Sequence, residues 1–233
     1  MTEIIVRPLT ENDITTADRI CRLAFGTIIG LHDPMQFYER GADPIRTRFR
    51  ADPAAALAAE ANGELVGSNF MAHWGSVGFF GPLSVHPDHW NKGVAKHLLK
   101  FTMEYFAKLG TRHIGLFTLA NSPKHVGLYQ RFGFWPHFLT AIMVKQLVDD
   151  DENRTSLQWS KYSELQTAED RRDCLNSCHS LTNLIYDGPD VQFEIKSVNT
   201  QNRGDTVLLW QKGNGNVALK VAHRPFFTAI QRT

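Results

Sequence analysis

The sequence predicts an α/β (α+β) fold: a central mixed β-sheet with a bulged fourth strand, flanked by helices, plus a smaller C-terminal α+β lobe. Three observations carry that expectation. Apolar residues recur at helical spacing in two stretches, Ile14, Ala17, Ile20, Cys21, Ala24, Phe25 and Val94, Leu98, Phe101, Tyr105, Phe106, Leu109. Asn62-Gly63 separates two β-rich runs, and this is the strongest dipeptide signal for an antiparallel hairpin. The second helical stretch lies between strand-like residues 77–85 and 113–119, and a strand–helix–strand unit of that length requires parallel pairing with a right-handed crossover. Antiparallel and parallel pairs together make the sheet mixed.

The chain has 233 residues, of which 42% are hydrophobic and 21% charged, enough to build a packed core. An acidic break, Asp149-Asp150-Asp151-Glu152 followed by Asn153, divides it into expected units at residues 1–148 and 155–233. The formal charge of +1 argues against a nucleic-acid or anionic-membrane partner. The N-terminal residues lack a basic-then-apolar secretory pattern, and no apolar run approaches the roughly 20 residues that cross a bilayer. Cys21, Cys174 and Cys178 are odd in number and have no framework spacing, so a reducing cytoplasm is the expected location.

Taken in order, residues 4–9 form a short strand, and Thr10 with Asp13 three residues later opens the first helix. Cys21 falls on the apolar face of that helix and reads as a core residue. Residues 26–53 are interrupted by Gly30, Pro34, Gly41, Pro44 and Pro53, which leaves room for one short helix. His32, Asp33, Tyr38 and Glu39 are polar groups there, in loops fit to carry specificity. The hairpin at 55–74 follows. Strand 77–85 is broken by Gly81-Pro82, and because proline removes a ladder donor while apolar residues resume afterwards, a bulge is expected. After the helix from about Lys92 and the strand at 113–119, a helix begins at Pro123 and ends at Gly133, and residues 138–147 read as a last strand. The C-terminal unit echoes the start of the chain. Thr167 with Asp170 opens a helix bearing Cys174, and Gly213-Asn214-Gly215 lies between two strand-like runs. This is a degenerate partial repeat that stops before any second glycine loop, and packing or substrate shaping is its expected task. Cys174, Cys178 and His179 read as a helix face and not as a metal site.

The stretch with the most chemistry is Leu83-Ser84-Val85-His86-Pro87-Asp88-His89-Trp90-Asn91-Lys92-Gly93-Val94-Ala95-Lys96, a strand, a tight loop and a helix start. Small residues at Gly93 and Ala95 let backbone amides approach a ligand. The unpaired amides of the first turn, the helix dipole and the lysines favour an anion there.

The ordered set of bulged strand, Trp90-Asn-Lys-Gly-Val-Ala95 opening a helix, a further strand, and Leu128-Tyr129 ahead of Gly133-Phe134 resembles the GNAT superfamily, the Gcn5-related N-acetyltransferases. The resemblance spans about residues 3–147. It implies acetyl-CoA as co-substrate, with no metal. It implies that amides from about Asn91 through Lys92, Gly93, Val94 and Ala95 to Lys96 hold the CoA pyrophosphate. It further implies that the pantetheine arm pairs with Leu83, Ser84 and Val85 in a slot opened by the bulge. Trp90 stands where the family pattern has Gln or Arg, and a shielding role over the phosphates is the expectation for it. Asn121 resembles an asparagine that contacts the CoA arm, at a spacing to Tyr129 one residue longer than is common. Tyr129 matches the family's general acid, the other reading being a helix-face aromatic beside the sulfur.

The implied reaction is direct transfer in a ternary complex, in which a neutral primary amine attacks a thioester polarised by the Leu83 N–H. Lysine-like amines need about 4–5 kcal/mol to deprotonate at pH 7, so a base is useful. Residues 77–85 contain no acid, however, and the candidates are Glu60, His73, His86 or a water relayed through Ser84. A non-catalytic acyl-CoA-binding or regulatory module is the competing reading. The expected partner is a small-molecule or peptide amine, with a homodimer also compatible with the sequence.

Overall fold

The computed structural model describes residues 3–38, 42–140, 158–210 and 217–223. The first sheet has strand order β1-β2-β3-β4-β6, with β5 pairing β3 alone. β1 (Ile4–Pro8) enters a 3-10 turn closed by a capping box, in which the Thr10 N–H donates to Asp13 Oδ2 at 2.8 Å. Helix α1 (Ile14–Ile28) follows and buries Ile14, Ala17, Ile20, Cys21 and Ala24, the face its spacing predicted. The short helix expected between 26 and 53 is α2 (Pro44–Ala51), with Pro44 in its first turn and the Asp43 carboxylate accepting from Arg46 N–H. β2 (Ala56–Ala61) and β3 (Glu64–Trp74) form the hairpin, and Asn62 (φ 54°) and Gly63 (φ 80°) supply the two left-handed residues of its turn.

The fourth strand is split. β4 (Val77–Phe80) pairs β3 with Met71 opposite Phe80, whereas β5 (Ser84–Val85) pairs it with Ser68 opposite Ser84. Two residues of β3, Asn69 and Phe70, therefore face three, Gly81, Pro82 and Leu83. That single extra residue is the bulge. Helix α3 (Val94–Lys108) crosses back to β6 (His113–Gly115), which pairs parallel with β4 and not with β5. Among the described residues, the strand expected over 113–119 is thus paired only at its first three residues. Beyond Gly115 its neighbour on that side has diverged at the bulge. Helix α3 also starts later than Lys92, because Gly93 takes the left-handed cap position. Its buried stripe runs through Leu98, Leu99, Thr102 and Phe106, while Phe101 and Leu109 face outward, against the expectation from spacing. Thr102 is drawn inside by Asn69, whose Nδ2 donates to its hydroxyl at 2.7 Å. Helix α4 (Pro123–Gln130) completes this part. Residues 138–140 are not strand, and the rest of the expected strand at 138–147 lies outside the described residues.

A second, three-stranded antiparallel sheet is built from β7 (Gln158–Lys161), β8 (Gly204–Trp210) and β9 (Val217–His223), with α5 (Ala168–Asn183) and α6 (Gln192–Thr200). The order strand, 3-10 turn, helix, helix, hairpin is that of β1 through β3. It docks on the first sheet through backbone: Ser76 N–H donates to Gly188 O at 2.8 Å and Asp190 N–H to Trp74 O at 3.1 Å. Side chains extend the contact, with Arg48 on Glu194 at 3.2 Å and Arg112 on Asp187 at 2.9 Å.

The cysteines are structural. Cys21 is fully buried with its sulfur 3.4 Å from Tyr38 Oη, and burial pushes its thiol pKa up to about 12. Tyr38 belongs to the same core instead of the loop surface expected for it, and Glu39 lies outside the described residues. Cys174 and Cys178 are buried beneath β8, and no group of three or more metal-ligating side chains occurs among the described residues. Nor, among those residues, is any helix long and apolar enough to cross a membrane.

Candidate active site

The bulge decides what the backbone at Leu83–Val85 can do. His86 N–H donates to Val66 O at 2.8 Å, and Ser84 is in register with Ser68, so the even-numbered residues bond β3. Alternation in an antiparallel ladder then turns the N–H and C=O of Leu83 and Val85 the other way. Among the described residues, β5 has no strand partner on that side. The chain therefore presents an open strand edge at the slot between β5 and residues 116–119.

At the end of that edge lies the loop to α3. Asn91 (φ 63°) and Gly93 (φ 86°) are both left-handed, which curls the backbone and directs successive amides inward. Trp90 N–H is satisfied by Pro87 O, and the amides of Lys96 and His97 by Gly93 O. Among the described residues, the amides of Asn91 through Ala95 have no backbone acceptor in any turn or loop. These amides lie at the positive end of a 15-residue helix, in a curled cradle whose electrostatics favour an anion. Lys92 and Lys96 are exposed on its rim, while the Lys96 amide is used in closing the first turn.

The Trp90 indole Nε1 donates to Val85 O at 2.7 Å, and the side chain packs against the core cluster that holds Val85, Val94 and Leu98. Lys124 Nζ, at the start of α4, sits 5.2 Å from the ring centroid in cation–π contact, so Trp90 links β5 to α4 across the slot. Trp90→Phe keeps the ring and loses the indole donor. Its expected cost is about 1 kcal/mol of stability, measured by urea unfolding.

Tyr129 lies on α4 against Phe80, at 6.0 Å between ring centroids, and against Phe134 at 6.4 Å, in the cluster that also holds Leu83 and Phe106. Burial raises its phenol pKa to about 12. Its hydroxyl makes no hydrogen bond with another described residue. Asn121 is exposed in the turn before α4.

None of the candidate bases stands free at the slot. Glu60 is on β2, at the far side of the sheet, where Arg7 Nε donates to it at 2.8 Å. His86 Nδ1 accepts from Asp88 N–H at 3.3 Å and caps the turn leaving β5. Ser84 is buried, with its hydroxyl 3.3 Å from that of Ser68. His73 lines a small cavity with Arg48, Asp52, Trp74 and Glu194, and its Nε2 is buried without a partner there. What sequence reasoning passed over is Phe79, which opposes Ala72 in the ladder beside the slot, stacks with Trp74 and meets Phe117 at a tilt. Its signal was the aromatic alternation within 77–80.

The site is thus an open strand edge beside a run of free amides at a glycine-capped helix start, on a mixed α/β sheet. Residues 25–134 match the model of the acetyltransferase (GNAT) family. The chain is 26% identical over 131 residues to Acetyltransferase SG1711 of Sodalis glossinidius, covering 55% of this chain and 92% of that protein. It is 28% identical over 132 residues to Acetyltransferase ECA0875 of Pectobacterium atrosepticum, with the same coverage. Among solved structures, a candidate acetyltransferase from Pyrococcus horikoshii superimposes with TM-score 0.54 at 14% identity, covering 88% of this chain and 64% of that one. This last likeness concerns the fold.

Proposed function

We propose that this chain is an N-acetyltransferase that moves an acetyl group from acetyl-CoA to a primary amine by direct attack in a ternary complex. The observation that supports this best is the continuity of the slot. The free edge of Leu83 and Val85 runs directly into the amide cradle at 91–95, which suits an extended amide-bearing arm ending in a pyrophosphate. In this reading Leu83 N–H polarises the thioester carbonyl and Val85 holds the arm. One acceptor lone pair of Val85 O is already taken by Trp90, leaving the N–H and the second lone pair. Tyr129 hydrogen-bonds the departing thiolate, and no metal takes part. Lys92, Lys96 and Lys124 add charge at the cradle end.

The competing module reading draws on Phe79, since no carboxylate on β4 faces the slot. Incubation with acetyl-CoA and a panel of primary amines separates the two. Amine-dependent release of free thiol is the expected result, and binding without release would leave only the module. We also propose that the acidic break at 149–152 divides the chain into two units. The second sheet supports this, as the setting of three reduced, buried cysteines supports a cytoplasmic location.

A further inference from the structure

The contact that crosses the slot, Trp90 with Lys124, brings a cation to a place where the fold itself gains little from one. Lys124 stands in the first turn of α4, at the positive end of that helix, where an acid is the stabilising choice and none is present. Ser122 occupies the cap position, but its hydroxyl lies 2.6 Å from His125 Nδ1 and caps no amide. Burial, and after it the charge of Lys124, lowers the pKa of His125, which keeps that ring neutral at pH 7. Among the described residues, Lys124 has no carboxylate partner, and neither do Lys92 and Lys96 on the opposite wall. Asp88, the acid of that wall's loop, lies 3.7 Å from His86 Nδ1.

What holds the ammonium at the slot is the Trp90 ring. The indole N–H donates to Val85 O, the carbonyl turned away from β3, and this bond fixes one edge of the ring. Lys124 Nζ sits 5.2 Å from the ring centroid. The pair therefore bridges the slot between Leu83 and the amides of residues 91–95. An exposed ring face holds a cation weakly, whereas a phosphate oxygen accepts a charge-assisted hydrogen bond from it and is the stronger partner. The ring contact is thus a parked position that a neighbouring phosphate outcompetes. The indole, tied to Val85, stays behind.

From this platform, the uncompensated charge and the adjoining cradle we infer that Lys124 is a switching ligand of the acetyl-CoA pyrophosphate. It leaves the Trp90 ring, donates to a pyrophosphate oxygen at residues 91–95, and in leaving clears the slot for the pantetheine arm. Trp90 is the positioning residue that keeps the ammonium within reach. This rests on the acetyl-CoA reading.

The test titrates the whole chain by calorimetry with acetyl-CoA, its 3′-dephospho analogue and acetyl-pantetheine. Lys124→Gln is expected to raise the Kd of both phosphate-bearing compounds about tenfold, and to change that of acetyl-pantetheine by less than about twofold. Trp90→Leu, which removes the ring, raises the acetyl-CoA Kd about threefold but adds nothing to Lys124→Gln, while Trp90→Phe keeps a ring face and stays near the parent. Departure of the ammonium is read from Trp90 fluorescence, taken as the difference between parent and Trp90→Phe. Acetyl-CoA is expected to change that signal, and neither acetyl-pantetheine nor acetyl-CoA added to Lys124→Gln is. An unchanged acetyl-CoA Kd in Lys124→Gln, or an equal loss with acetyl-pantetheine, overturns the role of Lys124 while the acetyl-CoA reading stands. An effect that disappears with the 3′-dephospho analogue overturns the assignment to the pyrophosphate. A parent protein that binds none of the three overturns both.

Discussion

Replacing Gly93 by valine is expected to weaken acetyl-CoA binding by at least about 100-fold, or roughly 2.7 kcal/mol. The cause is conformational. A Cβ at Gly93 would meet only the His97 ring, 3.9 Å away, so there is no clash to relieve. But Gly93 caps α3 at φ 86°, where an L-residue costs about 1–2 kcal/mol and a β-branched one more. The strained loop escapes by leaving the left-handed region, and that turns the amides of residues 91–95 away from their common centre. Gly93→Ala, with a smaller penalty, falls in between. Calorimetric titration with acetyl-CoA, on variants shown by circular dichroism to keep their helix content, checks this. Affinity within twofold of the parent would remove the cradle from the binding site.

Tyr129→Phe should lower kcat by about 10- to 100-fold while leaving the acetyl-CoA Kd in place, because the ring and its contacts with Phe80 and Phe134 remain. Burial of the phenol sharpens its role. With a pKa raised to about 12, complete proton transfer to a thiolate whose conjugate acid is near 8.5 is uphill, so Tyr129 serves as a hydrogen-bond donor to developing charge. The sign of the pH effect follows. A raised pKa keeps the neutral phenol, the donating form, across the working range. The parent kcat should therefore rise with pH as the acceptor amine loses its proton, and show no alkaline fall from Tyr129 until pH nears 12. An alkaline limb near pH 9–10 that disappears in Tyr129→Phe would mean the phenol is not buried during turnover. Equal kcat in both proteins would leave Tyr129 as packing alone.

The two variants probe different parts of one slot, and their readouts separate. In the proposed reaction Gly93 controls where the nucleotide end is held and Tyr129 acts at the sulfur end, beyond the bulge.

The residues of the cradle were legible before any coordinates because their signal is local. A left-handed cap asks for glycine, a first helical turn leaves amides unpaired, and Asn62-Gly63 dictates its own turn. The capping pairs Thr10–Asp13 and Thr167–Asp170 are local in the same sense, and each closes within three residues. Helical spacing was less reliable where a polar partner intervened, as Thr102 shows by replacing Phe101 in the buried stripe of α3.

What the sequence determined alone was therefore the set of short-range commitments: hairpin, bulge, amide cradle and the order of elements that place Tyr129 beyond them. The tertiary structure decided the rest, because it depends on residues far apart in the chain. Only the fold could turn Trp90 back onto Val85 and beneath Lys124, since no spacing rule says where an indole finds its acceptor. Only pairing between β4 and β6 could bring Phe79, Gly115 and Phe117 onto one face, with Trp74 and a ring from the second lobe beside them. A sequence shows which residues have unpaired donors, and three dimensions show which donors stay unpaired.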